Sequence, residues 1–315
     1  MSTKKASDES GGLKKSPVVM IWRRVSDLDR AKSLGTKLLE WRSVGEDRSA
    51  TMYDAGSVLV NYWVPDEAAA KANGSDSASN RAGYTLVSNP ASEFVLVPAR
   101  FQTSVRKIKA EHKGPAQALK TEAGDTISFV DDDGNFTAFY RPSSPAFNGK
   151  AGMKLNALLA QQSRQGGRGA RARTRNQIVA HNLLVSDLKR SREFYQQVLG
   201  LRTLQATKYE LKFDVGTLIL SIKQESAVGL VGSLKRAERL LGDRIIFHVA
   251  DIEAATEALA RRGVEFPGGI EKSVHGPRAY FNDPDGHSLM LWQPSDESNG
   301  IDYSPVLHRI LKNAT

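Results

Sequence analysis

The chain contains no cysteine. That excludes a disulfide scaffold and any thiolate metal site, and it fits a reducing compartment. It also lacks an apolar run long enough to span a bilayer, and its first 17 residues have no apolar centre of the secretory kind. A cytoplasmic protein without membrane contact is the expectation. Acidic residues are missing from one long stretch: residues 141–177 carry eight Lys or Arg and no Asp or Glu. That stretch holds nearly all of the net charge of +9, so the rest of the chain is close to neutral. The basic character belongs to a connector, and the globular parts carry no general signal for nucleic acid.

What is present suffices for two ordinary domains: 315 residues, 40% hydrophobic and 25% charged. Residues 1–16, rich in Ser, Lys and Gly, read as a disordered tail. A first domain over 17–142 has strand-like runs at Val18–Arg24, Val58–Val64, Phe94–Pro98, Thr126–Val130 and Phe136–Arg141. Helical stretches Leu28–Trp41 and Phe101–His112 separate them, and residues 68–83 read as a surface loop. Residues 143–176 form a basic Gly/Arg-rich linker with a short helix near Met153–Gln162. A second domain over 177–294 repeats the order. Its strands fall at Ile178–Val185, Tyr209–Val215, Thr217–Lys223, Ile245–Ala250, Arg278–Asn282 and Ser288–Gln293, and its helices at Leu188–Leu199, Leu234–Leu241 and Ile252–Arg262. The tail 295–315 has room for a helix through Val306–Leu311.

Two motifs recur. Val25-Ser26-Asp27-Leu28 matches Val185-Ser186-Asp187-Leu188, and Val249-Ala250-Asp251-Ile252 again leads a strand into a helix. The Asp or Ser in each can cap the helix N-terminus. Asp131-Asp132-Asp133-Gly134-Asn135 matches Asp283-Pro284-Asp285-Gly286-His287. This is a tight turn between strands, in which Pro284 suits the first corner and Gly286 supplies φ > 0. Together these units resemble the vicinal-oxygen-chelate superfamily of glyoxalases, bleomycin-resistance proteins and extradiol dioxygenases. The resemblance implies an α+β fold of two tandem domains, each of paired βαβββ modules curling a mixed sheet into a cup. It also implies a divalent metal (Fe, Mn, Zn or Ni) in the cup. Its ligands would come from the first strand of each module and from the strand after the turn.

At those positions the second domain has Ala180, Arg244 and Met290, and the first has Met20, Ser92 and Ala138. Alanine has no donor, arginine stays protonated, and a thioether is a poor ligand for hard metals. No metal or other cofactor is therefore expected. The alternative is a divalent metal held by His181 and His248. Strand parity turns His181 away from the cup as a hydrogen-bonded packing residue and turns His248 inward. The same parity places Asn182, Leu184, Arg244, Ile246, His248, Ser288, Met290 and Trp292 on one inner face, with Arg278 and Tyr280 as further ligand-binding candidates. An apolar wall with a few convergent polar groups suits a small molecule. Arg244 and Arg278 suit an anionic one, unless they pair with Asp243 or Asp283. In the first domain, Met20, Trp22, Arg24, Phe94, Leu96, Phe136 and Tyr140 read as a filled core or a domain–domain surface.

Three functions compete. The first is a metal-free binder of small molecules, of bleomycin-resistance type, using the second domain's cup. The second is a metal-dependent lyase or extradiol-type dioxygenase. The third is a scaffold touching nucleic acid through Arg164, Arg168, Arg171, Arg173 and Arg175. No aromatic residue accompanies those arginines, so the stretch reads first as a solvated linker with weak, salt-sensitive phosphate contact. The protein is expected as a monomeric pseudo-dimer or a homodimer.

Overall fold

The computed structural model describes residues 12–64, 92–112, 114–164, 176–224, 243–295 and 302–314. Most of the expected N-terminal tail, the 68–83 loop, the Leu234–Leu241 helix and the linker arginines Arg168, Arg171, Arg173 and Arg175 lie outside these residues.

Four βαβββ modules follow one another. The first comprises β1 (Val18–Arg24), α1 (Leu28–Ser33, continued by a wider turn to Leu38), β2 (Arg42–Glu46), β3 (Ala50–Asp54) and β4 (Leu59–Trp63). The second comprises β5 (Ser92–Pro98), α2 (Phe101–Glu111), β6 (Ala116–Thr121), β7 (Gly124–Val130) and β8 (Phe136–Pro142). After it comes α3 (Gly149–Arg164), longer than the sequence suggested. The third has β9 (Asn176–Val185), α4 (Leu188–Arg192, continued to Val198), β10 (Arg202–Ala206), β11 (Glu210–Asp214) and β12 (Ile219–Gln224). The fourth has β13 (Arg244–His248), α5 (Ile252–Ala260), β14 (Ile270–Glu271), β15 (Arg278–Asn282) and β16 (Ser288–Trp292). A last helix, α6 (Ser304–Ala314), closes the described chain.

Three helix starts are set by the aspartates the motifs supply. Asp27 accepts from Arg30 N at 3.0 Å, Asp187 from Lys189 N and Arg190 N at 2.8 and 3.0 Å, and Asp251 from Ala254 N at 2.9 Å. The hairpin turns behave as their sequences require, with Gly134 at φ +76° and Gly286 at φ +91°.

The α+β class and the paired modules are as the resemblance implies, but the pairing does not follow the chain. The first module joins the fourth in one eight-stranded mixed sheet, β14-β15-β16-β13-β1-β4-β3-β2. The second joins the third in the other, β10-β11-β12-β9-β5-β8-β7-β6. Neither the 17–142 nor the 177–294 segment forms a cup by itself; each sheet takes one module from either side of the linker. Within a lone module the first strand would be an apolar edge, and pairing two first strands removes that edge. β1 runs antiparallel to β13 with Met20 opposite Ile246, and β5 runs antiparallel to β9 with Val95 opposite Ala180.

The main core lies between the sheets and includes Tyr53, Tyr62, Phe94, Phe139, Phe213 and Phe247, all fully buried. A polar seam crosses it. Arg23 of β1, completely buried, donates to Asp243 through Nε (2.8 Å) and Nη2 (2.7 Å), and to Thr137 Oγ1 and Phe136 O of the other sheet. Ser92 Oγ donates to the same Asp243 at 2.8 Å. Burial works against the Asp243 charge, but the Arg23 guanidinium outweighs it and keeps the carboxyl below its ordinary range. The recurrent motifs form two clasps between the sheets. Asp133 accepts from Ser26 N and Oγ at 3.0 and 2.5 Å, and Asp285 from Ser186 N and Oγ at 2.9 and 2.5 Å.

The other face of each sheet packs under one helix. Val306, Leu307 and Ile310 of α6 cover Met20, Ile246 and Met290, while Leu155 and Leu158 of α3 cover Val179, Leu204 and Ile219. Matching ion pairs pin the helices: Arg309 to Asp54 at 2.7 Å and Lys154 to Asp214 at 2.8 Å.

Candidate functional site

Each sheet carries a cavity on its helix-covered face. The first cup, on the sheet of β1 and β13, encloses about 350 Å³ between Met20, Trp22, Met52, Met290, Trp292 and Tyr303, with Asn61, His275, Arg278, Glu46, Asp47 and Asp302 among its polar lining. Pleat alternation explains the wall. Ile21, Ile245, Leu289 and Leu291 enter the main core, so Met20, Ile246, Met290 and Trp292 face the cup. The indoles are fixed: Trp22 Nε1 donates to Met20 Sδ at 2.8 Å and Trp292 Nε1 to His275 O at 2.9 Å.

The expected candidates do not all gather here. Met290, Trp292 and Arg278 line the first cup. Tyr280 packs with Met290 and Trp292 on the same face. Arg244 is fully buried and does not reach the cavity. Its Nε donates to Ser288 Oγ at 2.9 Å, and its guanidinium lies 4.2 Å from the Tyr280 ring and 5.9 Å from Trp22. It therefore braces the aromatic wall from behind, while Asp243, its expected rival partner, belongs to Arg23. Arg278 pairs with Glu271 at 3.3 Å. His248 is half-buried at the end of β13, beside Trp292 in register, and burial draws its pKa down. Asn182 is on the other sheet altogether, because β9 pairs with β5.

The second cup, on the sheet of β5 and β9, is larger, about 690 Å³. Its lining includes Glu93, Ser128, Asn182, Glu210, Lys212, Ser221 and Lys223, around Val95, Ala138, Ala180, Ile219 and Leu155. Glu93 accepts from Ser128 Oγ at 2.9 Å and from Asn182 Nδ2 at 2.7 Å. Glu210 accepts from Ser221 Oγ at 2.7 Å and faces Lys212 and Lys223 at 3.2 and 3.7 Å. Burial opposes the Glu210 charge, but Lys223 and then Lys212 prevail and lower its pKa. The polar cluster was missed in sequence because β5 was read one residue out of phase: Phe94 and Leu96 go to the main core, and Glu93 and Val95 face the cup. A lone glutamate in Ser-Glu-Phe-Val-Leu-Val and the Glu210-x-Lys212 alternation were the available signals.

These residues do not fit a divalent metal. The centre of the first cup is Met20, Ile246 and Met290, and that of the second is Val95, Ala138 and Ala180, none with a suitable donor. Among the described residues no group of three His, Asp or Glu side chains converges as a metal site. The alternative pair is split: His248 sits on β13 of one sheet and His181 on β9 of the other. As parity required, His181 turns away from the cup. It is buried in the seam 3.6 Å from Asp243, against the Phe94 ring, and burial pushes its pKa down to about 4.

Residues 176–291 match the family model described as the Glyoxalase/Bleomycin resistance protein/Dioxygenase superfamily. The match is confined to that segment, the third and fourth modules. The whole fold of the chain is similar to solved structures of the same breadth. A mutant form of glyoxalase I from Zea mays aligns at TM-score 0.56 and 15% identity, covering 93% of this chain and 95% of that one. A putative dioxygenase from Bacillus subtilis subsp. subtilis str. 168 aligns at TM-score 0.57 and 10% identity, covering 95% and 97%. At such identities the likeness is one of fold. No curated protein matches the chain. No helix among the described residues is long and apolar enough to cross a membrane.

Proposed function

We propose that the chain belongs to that superfamily and binds a small, flat organic molecule in its first cup, without the divalent metal. The observation that carries this reading is the wall itself. Two indoles, a tyrosine and three methionines surround about 350 Å³, and methionine and isoleucine stand where a metal would need donors. Rings stack well on such a surface, and methionine adapts its shape to the guest. The preference for an anion suggested by Arg244 and Arg278 weakens, since both are engaged and Glu46, Asp47 and Asp302 share the lining. Trp22 reports directly: planar aromatic metabolites that raise the melting temperature should quench tryptophan emission, and Trp22→Leu should abolish both responses. If the same ligands stabilise Trp22→Leu equally well, the site is elsewhere. The lyase or dioxygenase reading requires about one tightly held divalent ion per chain in protein purified without chelator, which elemental analysis would detect.

A further inference from the structure

The second cup carries a charge pattern that the first lacks. Glu93 stands on its floor with 6% of its surface exposed. Ser128 and Asn182 satisfy part of its carboxylate, and among the described residues no Lys, Arg or His reaches ion-pair distance of it; the lysines of the cup go to Glu210. A carboxylate so enclosed is costly to keep charged without a counter-ion, and two neutral donors leave lone pairs open. Across the same face the sign reverses. Glu93 is in register with Asn182, Asn182 with Ser221, and Ser221 with Lys212. At that end two ammonium groups, Lys212 and Lys223, share the one carboxylate of Glu210. Three strand spacings separate the backbones of Glu93 and Lys212, about 14 Å, and inward side chains shorten the gap between their charges. Between them in that row lie Asn182 and Ser221, and Val95, Ala180 and Ile219 of the neighbouring row add small aliphatic surface that methylene groups can lie against.

We propose that the second cup is a separate binding site for a small zwitterion, an aliphatic amine whose ammonium sits on Glu93 and whose anionic end meets Lys212 and Lys223. An ammonium supplies the missing counter-charge and up to three donors, and the excess cation at the far end accepts a carboxylate. This assignment does not depend on the first cup being occupied.

Three probes of one chain length test it by calorimetry on the full chain at neutral pH: 6-aminohexanoate, hexylamine and hexanoate. The zwitterion should bind best, hexylamine roughly tenfold more weakly, and hexanoate more weakly again. Glu93→Gln should weaken 6-aminohexanoate at least about tenfold, whereas Lys223→Met should weaken it without changing hexylamine. Ala151→Trp, which fills the cup from α3 without touching a charge, should abolish binding and covers the case in which Glu93→Gln fails to fold. Trp22→Leu should change nothing. The assignment is overturned if none of the probes binds, if hexanoate matches 6-aminohexanoate, if a folded Glu93→Gln or Ala151→Trp binds normally, or if Trp22→Leu removes the heat.

Discussion

Both cups are organised about the same contact, two first strands running antiparallel, with Met20 opposite Ile246 in one and Val95 opposite Ala180 in the other. Around that shared centre they diverge. The first builds aromatic and thioether walls under α6; the second sets carboxylates and ammonium groups into a small-residue floor under α3. Backbone pairing thus decides where the cavities are, and the side chains that pleating turns inward decide what each can take. Among the described residues neither gathers three His, Asp or Glu side chains as a metal site would. If the cups are separate devices on a common frame, a lesion in the frame should damage both and a lesion in one cover should damage one.

The largest effect belongs to the frame. Arg23 and Asp243 form an ion pair in which both side chains are fully buried. Removing one partner strands the other charge, so Arg23→Met should cost about 3–5 kcal/mol in urea unfolding. Replacing both, Arg23→Met with Asp243→Leu, should recover much of that, since the desolvation penalty disappears with the pair. Ligand binding in both cups should fall together in the single variant; a loss confined to one cup would show that the seam is not shared.

Next come the covers. Leu307 of α6 and Leu158 of α3 are 3% and 0% exposed, each in the cluster beneath its own helix. Leu307→Ala and Leu158→Ala should each cost roughly 2–5 kcal/mol, depending on how far the site collapses. Tryptophan quenching by first-cup ligands should suffer only in Leu307→Ala, and 6-aminohexanoate binding only in Leu158→Ala.

Much of this frame was legible beforehand. The four modules came from the family resemblance that the Val-x-Asp and Asp-x-Asp-Gly units carry, and those units were readable because capping and tight turns depend on local chemistry. Period two gave the faces of β9, where His181 turns away from the cup between Ala180 and Asn182, but not those of β5, where the phase was off by one. The strands overlooked were mostly edge strands, β3 being the interior exception: β6 is exposed at every residue and β10 at most, and neither Ala116–Thr121 nor Arg202–Ala206 alternates apolar with polar. The division of Asn182 from Met290 was not legible, because pairing of the first module with the fourth rests on contacts such as Arg23 with Asp243, 220 residues apart. Parity within a strand says which face a residue takes and nothing about which sheet the strand joins.

A third test lies in acid. His181 has a folded pKa of about 4 against an ordinary 6.5, so the fold holds it neutral and the unfolded chain binds more protons between those values. Stability should therefore fall as pH drops from 6.5 towards 4, by roughly 3 kcal/mol from this group alone. Asp131 acts oppositely. Burial raises it from 3.8 to about 6, so the folded state binds the extra proton and gains stability as pH falls through that range. Urea midpoints measured from pH 7 down to 4.5 should show the acid loss shrinking in His181→Gln and steepening in Asp131→Asn. Equal slopes in both variants would remove the seam histidine from the account.

The smallest effects should come from the two latches. Arg309 Nη2 meets Asp54 Oδ1 at 2.7 Å and Gly56 O at 3.1 Å, and Lys154 meets Asp214 and the Gly216 carbonyl. These cations are 29% and 17% exposed, so part of each attraction is screened, and Arg309→Met or Lys154→Met should cost only about 1 kcal/mol. The informative quantity is kinetic. A helix less firmly pinned at one turn should open more often and release its guest faster with little change in global stability. Arg309→Met should speed dissociation from the first cup alone, and Lys154→Met from the second alone, in stopped-flow displacement. Because Gln161 of α3 also donates to Asn313 O of α6 at 3.0 Å, the two helices touch. If either variant accelerates release from both cups, that contact couples the covers, and the cups must be treated as one device with two chambers.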